Sequence, residues 1–446
     1  AGEPSGVTSN CPTPKRGRMS TNTPTTTGVK RRESAARSYC RGFDTVFTSA
    51  QGSEMTARDG QTYIDFLAGC SSLNYGHNDP DMKEALIAHL QADGIAHGLD
   101  MHTNTKADFL ETFENVILRP RNMDHKVMFT GPTGANAVEA AMKIARKVTG
   151  RSNIVAFTNG FHGVTQGALA ATGNGYHRGG AGLPLNNVTR LPFDGYMGQG
   201  TDTADYLEAM LNDPSSGLDA PAAILLETVQ GEGGLNAARP EWVQRVARLA
   251  KEAGALLIID DIQAGCGRTG TFFSFEEFGI DPDIVTMANS VSGFGLPMAL
   301  VLVKPEHDVM GPAEHNGTFR GNTHAFITAR VAIEKFWSDN AFQDDIARRA
   351  KIVEKALQEI ADMVPGSRLK GRSMMRGVDV GSGELAGDIC ARAFQNGLIV
   401  ETSGPNDEVV KILAPRTTPD AQLEAGLSIL KDAARDVIGT TKVAAE

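Results

Sequence analysis

Apolar runs that stop at acids constrain this chain more than any other feature. Ala222 to Leu226 ends at Glu227, and Ala255 to Ile259 ends at Asp260-Asp261. A shorter run, Ile284-Val285, leads to Ala288-Asn289-Ser290, and Met298 to Val303 follows it. Short apolar runs bounded by Gly-rich turns read as strands buried on both faces. Arg239 to Ala253 reads as a helix between two of them. Strands alternating with helices predict an α/β fold with a mostly parallel, doubly wound sheet. Ligands of such sheets bind in the crevice at the carboxyl ends of the strands. Acids at two of those ends are costly to bury without partners, which points to a site there.

A chain of 446 residues suggests two or three domains, and 41% hydrophobic residues can fill a large core. A net charge of −10 argues against nucleic acid and anionic membrane as partners, since both want a basic face. No apolar run approaches the roughly 18 residues of a membrane span. The five cysteines, Cys11, Cys40, Cys70, Cys266 and Cys390, are scattered and form no CxxC pair. That argues against a disulfide framework or a zinc site and for a reducing, cytoplasmic setting. Residues 1–35 are rich in Thr, Ser, Pro, Gly, Lys and Arg. Such a segment cannot offset its ordering entropy and reads as a disordered tail, or as a cloning remnant ahead of Met19. It lacks the apolar stretch of a secretory signal; an organellar transit segment is the weaker alternative.

Between Tyr39 and Asp65, alternation around Asp59-Gly60 predicts short strands and a hairpin. Gly69 to Pro80 is a Gly/Ser/Asn loop, either a connector or a substrate contact. Asp79 and Pro80 open a helix that runs to Gln91. Lys126 to Phe129 reads as a strand, followed by GPTGAN and a helix with Ala137, Ala140, Ala141, Ile144 and Val148 on one face. A helix N-terminus suits a phosphate, and Thr133, Gly134 and Ala135 offer hydroxyl and backbone donors. An ordinary α/β connection is the competing reading. Ile154 to Phe157 is another strand, ahead of Phe161-His162. Phe161 is either a core aromatic or a face for a planar ligand, and His162 either a turn residue or part of a site. The C-terminal third predicts a helix from Ile346 to Ile360, strands at Arg372 to Val380, Leu398 to Glu401 and Val409 to Leu413, and a last helix from Asp420 to Val437. The expected division is a large domain at 101–340 and a smaller α+β domain built from 36–100 and 341–446.

Together these loops resemble the class III, fold type I, pyridoxal phosphate-dependent aminotransferases over Ser38 to Val437. The carriers are GPTGANAVEAAMK, FHG, ETVQGEGG, DDIQAGCGRTG and HNGTFRGN. The likeness is strongest to the diaminobutyrate:2-oxoglutarate branch of the ectoine pathway, through SYCRGF, LNYGHNDP, DGIAHGLDM, SGFGLPMALVL and ETSGPNDEVVKIL. The resemblance implies amino transfer from glutamate to a semialdehyde, such as aspartate 4-semialdehyde giving 2,4-diaminobutyrate. It also implies a homodimer with shared active sites.

Residue roles follow from the resemblance. Asp260 would keep the cofactor's ring nitrogen protonated, deepening the electron sink. Gln263 would contact the ring's phenolic oxygen, with Glu227 nearby. Phe161 would stack on the ring, with His162 in support. Thr133, Gly134, Ala135 and Thr318 of the partner subunit would fix the phosphate. Glu232 and Lys411 would face the substrate. Asn289 stands at the position of the family's Schiff-base lysine. An amide is neither nucleophilic nor basic near neutrality, so it cannot do that lysine's work. Three readings follow. The chain traps its cofactor non-covalently as an amino-acid aldimine or as pyridoxamine phosphate. Or it is a non-catalytic binding protein. Or its pocket serves lysine-independent chemistry such as a cyclisation or condensation.

Overall fold

The computed structural model describes residues 26–198 and 200–445. Its central element is a seven-stranded sheet. In spatial order the strands are Lys126–Phe129, Leu300–Val303, Ile284–Met287, Leu256–Asp260, Ala223–Leu226, Ile154–Phe157 and Val188–Leu191. The strand that ends in Asp260 is thus the middle one. Leu300–Val303 runs against both neighbours; the other pairings are parallel.

The apolar runs carry no polar alternation because both faces of this sheet are covered. Ile224, Leu226, Leu257 and Ile259 pack on one side with Trp242 and Val246. Ala223, Leu225, Leu256 and Ile258 pack on the other with Ala137, Ala141 and Ile144. Burying each of these Leu and Ile side chains contributes about 1.5–3 kcal/mol. The covering helices begin and end on the signals in the sequence. Gly134–Thr149 is capped by Thr133, whose Oγ1 accepts from Asn136 N, and stops at Gly150 with φ 67°. Pro240–Glu252 carries Pro in its first turn.

At the edge where three of the strands begin, Arg151 gathers the connections. Its Nη1 donates to Pro221 O and Ala253 O at 2.9 Å and to Gly254 O at 3.0 Å.

Two four-stranded sheets flank this core in the sequence. One joins Phe47–Gln51, Glu54–Ala57, Thr62–Asp65 and Leu398–Ile399; the other joins Arg368–Arg372, Met375–Asp379, Val409–Ile412 and Glu401–Ser403. The expected hairpin at Asp59-Gly60 is present, with Gly60 at φ 91°. Three expectations change. The strand expected over Arg372–Val380 is the second half of a hairpin. Arg372 pairs with Met375 across a turn at Ser373, which takes φ 53° without the usual Asn-Gly signal. The strand expected over Leu398–Glu401 divides at Val400, because the chain there leaves one sheet for the other. The last helix continues past Val437 to Ala445.

By internal contacts the chain forms two units, Ala1–Val46 and Phe47–Glu446. The tail expected to be disordered at 1–35 lies outside the described residues as far as residue 25. From Thr26 to Arg32 the structure has a helix instead, with Lys30, Arg31 and Arg32 in its last turn, where cations suit the helix dipole. Lys30 also pairs with Asp44 at 2.7 Å. Among the described residues no helix is long and apolar enough to cross a membrane.

Candidate active site

The carboxyl ends of the strands bring two acids together. Asp260, 4% exposed, accepts from His162 Nδ1 at 2.7 Å and from Thr286 Oγ1 at 3.1 Å. Thr286 is its register partner on the next strand. His162 is held in turn through its backbone N–H, which donates to Thr172 Oγ1 at 3.0 Å. Burial disfavours a charged imidazole, but the bond to Asp260 and the charges of Asp260 and Glu227 outweigh it, so the His162 pKa rises. Glu227 accepts from Phe161 N at 2.9 Å and Gly231 N at 3.1 Å. Burial pushes its carboxyl up to about 7, against the pull of His162.

The adjacent loops close on this pair. Gly163, at φ 118°, lies so near the helix start that an added Cβ would sit 2.6 Å from Ala135 Cβ. A Cβ on Gly134 would meet Ile262 Cδ1 at 2.9 Å, next to Gln263. Of the expected phosphate residues, Ala135 is therefore packed against the Phe161-His162 loop and Gly134 against the turn after Asp260, while Thr133 caps the helix between them. Phe161 makes an edge contact with His177, ring centroids 5.4 Å apart. Thr318 lies on an exposed loop, which is tied to the same helix by His315 Nε2 and Asn136 Oδ1 at 3.0 Å.

A second cluster surrounds a fully buried lysine. Lys411 Nζ lies 2.9 Å from Glu232 Oε1 and 2.9 Å from Glu401 Oε1. Gln263 Nε2 donates to the same Glu232 oxygen at 2.9 Å. Burial opposes the Lys411 charge, yet the two carboxylates outweigh it and raise its pKa. Burial works against the Glu232 charge as well, and Lys411 more than offsets that. Glu401, by contrast, is raised by burial despite Lys411. Sequence reasoning found Glu232, Gln263 and Lys411 but missed Glu401. Only the sheet register brings it in: Glu401 is the cross-strand partner of Lys411 in an antiparallel pair.

Asn289 sits on the turn after the Ile284–Met287 strand, at φ 55°. Its Nδ2 donates to Cys70 O at 2.9 Å. Cys70 belongs to a left-handed turn in which Ala68, Gly69, Cys70 and Ser71 all have φ between 47° and 68°. Ser290 Oγ supports this turn by donating to Ser71 O at 2.6 Å. Three non-glycine residues in that conformation cost roughly 1–2 kcal/mol each. Such strain is held in place by its surroundings and collects at sites. Cys70 and Ser290 carried no signal in the sequence beyond their place in polar loops.

The neighbouring Asp261 plays a different part. It accepts from Ser274 N at 3.2 Å, and burial pushes its carboxyl up from 3.8 to about 7. An acid whose pKa is raised by folding favours the folded state below its unfolded pKa and loses that contribution as pH climbs. The loss attributable to Asp261 therefore falls between about pH 4 and pH 7, and amounts to roughly 2–4 kcal/mol. Denaturant titrations across that range are expected to show stability falling with pH, and Asp261→Asn to flatten the fall. An unchanged slope in the variant would show that Asp261 ionises freely.

Strand-end acids, a glycine-bounded helix N-terminus and a clustered lysine define a fold type I transferase scaffold. The sequence profile described as Aminotransferase class-III matches residues 36–434, and the chain belongs to that family. The family is pyridoxal phosphate-dependent. The chain is 55% identical over 410 residues to the diaminobutyrate–2-oxoglutarate transaminase of Vibrio parahaemolyticus, covering 92% of this chain and 97% of that one. It is 54% identical over 408 residues to the protein of that name from Halomonas elongata, covering 90% and 97%. Among solved structures, ornithine aminotransferase from Toxoplasma gondii superposes with a TM-score of 0.79 at 25% identity, covering 93% and 94%. A transaminase from the marine bacterium Virgibacillus reaches 0.82 over 92% and 98% at 19% identity, a likeness of fold alone.

Proposed function

We propose that this chain is an aminotransferase of the diaminobutyrate branch that holds its cofactor without a covalent tie and in which amino transfer is suppressed. The parent reaction moves an amino group from glutamate to a semialdehyde, aspartate 4-semialdehyde giving 2,4-diaminobutyrate. Relatives named diaminobutyrate–2-oxoglutarate transaminase align with this chain over nearly their whole length. The observation that carries the suppression is Asn289. Its amide is committed to the Cys70 carbonyl, and among the described residues the lysines of the adjoining segments are engaged elsewhere. Lys411 is fixed as a cation between two carboxylates. Lys304 pairs with Asp281 at 2.8 Å and Asp283 at 3.2 Å.

The rest of the shell fits pyridoxal phosphate. Among the described residues the buried Oε1 of Gln263 has no partner, a polar atom that a ligand there would satisfy. When bound, the cofactor supplies an electron sink at the substrate carbon. Asp260, backed by His162 and Thr286, would hold a proton on the ring nitrogen. Thr133 and the free N–H groups of residues 134 and 135 would hold the phosphate. Phe161 would cover one ring face. Glu232, Lys411 and Glu401 would meet the charges of the amino-acid substrate.

The same reading includes a large cofactor-binding domain at 101–340 and a smaller one from 36–100 and 341–446. The seven-stranded sheet, which lies within 126–303, supports it. It also includes a homodimer. Ile95, Leu99, Met101 and Phe319 are all exposed, and the Phe319 ring meets His97 at 5.2 Å, a patch of the kind an interface covers.

Borohydride reduction tests the proposal. Cofactor is expected to copurify, visible in the absorbance spectrum, and to leave the chain on denaturation after reduction. Cofactor that stays attached to the protein would overturn the non-covalent reading. A protein that takes up neither pyridoxal nor pyridoxamine phosphate would overturn the shell itself.

A further inference from the structure

Two fully buried arginines, Arg268 and Arg416, meet at Asn74, and they are short of negative charge. Arg416 is 0% exposed, and among the described residues its Nε, Nη1 and Nη2 all lack a hydrogen-bond partner. Arg268, also 0% exposed, has an unpartnered Nε. Its other nitrogens reach Ala414 O at 2.7 Å, Met374 O at 3.3 Å and the side-chain oxygen of Asn74. Burial, with the charge of Arg416 acting alongside it, draws the pKa of the Arg268 guanidinium well down. Among the described residues neither forms an ion pair. Asp65 is the acid that acts on Arg268, but its oxygens already accept from His77 Nε2 at 2.8 Å and from Leu67 N and Ala68 N at 2.9 Å. Around Arg416 stand the Tyr75 ring, 5.8 Å from Cζ, and the buried thiol of Cys266. Burial draws Arg416 down to about 10, which leaves it charged at neutral pH.

A buried guanidinium with all three donor nitrogens empty is among the most costly groups a core can hold. Buried polar groups almost always have a partner, and an orphan signals an ion or water. Water would satisfy donors but would not offset the paired positive charge. We propose that a small monovalent anion, chloride under ordinary conditions, binds between Arg416 and Arg268. Both side chains are fully buried, so the closed setting favours a monatomic ion over an organic acid. The ion would join three distant segments, because Arg416 N donates to Asn74 O at 2.8 Å while Arg268 holds the Asn74 side chain. Asn74 N in turn donates to Ser290 Oγ at 3.0 Å, beside Asn289. The site thus stiffens the turn that carries Asn289 without touching cofactor or substrate.

The test uses the full-length protein dialysed into sodium gluconate, with chloride or bromide added at constant ionic strength and pH. The apparent melting midpoint is expected to rise with a saturating dependence on halide, by roughly 2–4 °C. Arg416→Leu is expected to abolish that rise. Crystals of the unaltered protein grown with bromide are expected to show an anomalous peak between the two guanidinium groups. Bromide density that is absent there, or found only elsewhere, overturns the proposal in favour of water. So does an Arg416→Leu protein that keeps the full halide response. Should that variant fail to fold, the bromide experiment still decides, since it needs no substitution.

Discussion

Asn289→Lys should raise the rate of amino transfer from glutamate to aspartate 4-semialdehyde by on the order of 10⁶, the scale on which central nucleophiles matter in other enzymes. That factor corresponds to about 8 kcal/mol of barrier. Against it stand two costs. The variant loses the bond from Asn289 Nδ2 to Cys70 O, worth about 1 kcal/mol. It also places a lysine at φ 55°, where asparagine is better tolerated, for roughly another 1–2 kcal/mol. The costs fall on folding stability and the gain on the reaction barrier, so the variant should be somewhat less stable and far more active. Coupled assay of 2-oxoglutarate release, with cofactor added, reads the outcome. A folded, cofactor-loaded Asn289→Lys protein that remains inert would remove the parent activity. Turnover by the unaltered chain at a comparable rate would remove the suppression.

Lys411→Met should destabilise the protein by about 3–5 kcal/mol. The substitution preserves bulk but leaves Glu232 and Glu401 facing each other with no cation between them. Replacing both acids by glutamine in the same chain should recover much of the loss, since the penalty arises from uncompensated charge rather than from missing volume. Urea titrations of the single and triple variants measure this directly. If Lys411→Met stays within about 1 kcal/mol of the parent, the buried triad is not the electrostatic knot its geometry implies.

The sheet was legible because its strands are buried on both faces, which writes them as unbroken apolar runs such as Ala255 to Ile259. The strand-end acids were legible for the same reason: Glu227 and Asp260 interrupt those runs abruptly. Partners that come from elsewhere in the chain were not. Thr286 meets Asp260 only through sheet register, and Thr172 meets His162 through a loop that doubles back. Glu401 lay in a stretch read as one strand, and that reading hid the step at Val400 which turns it toward Lys411. The direction of Leu300–Val303 was equally hidden, since an apolar run has no polarity of its own. The left-handed turn at Ala68–Ser71 contains only one glycine and so gave no warning of its backbone.

The two rims of the central sheet are unequal ground for anyone who wishes to reshape this protein. One holds the acids and the loops that would grip a ligand. On the other, a single guanidinium at Arg151 staples three connections, far from any chemistry. A lesion there would thin the population of intact molecules inside a cell while leaving the survivors unchanged in character, a loss of quantity that an assay of purified material would overlook.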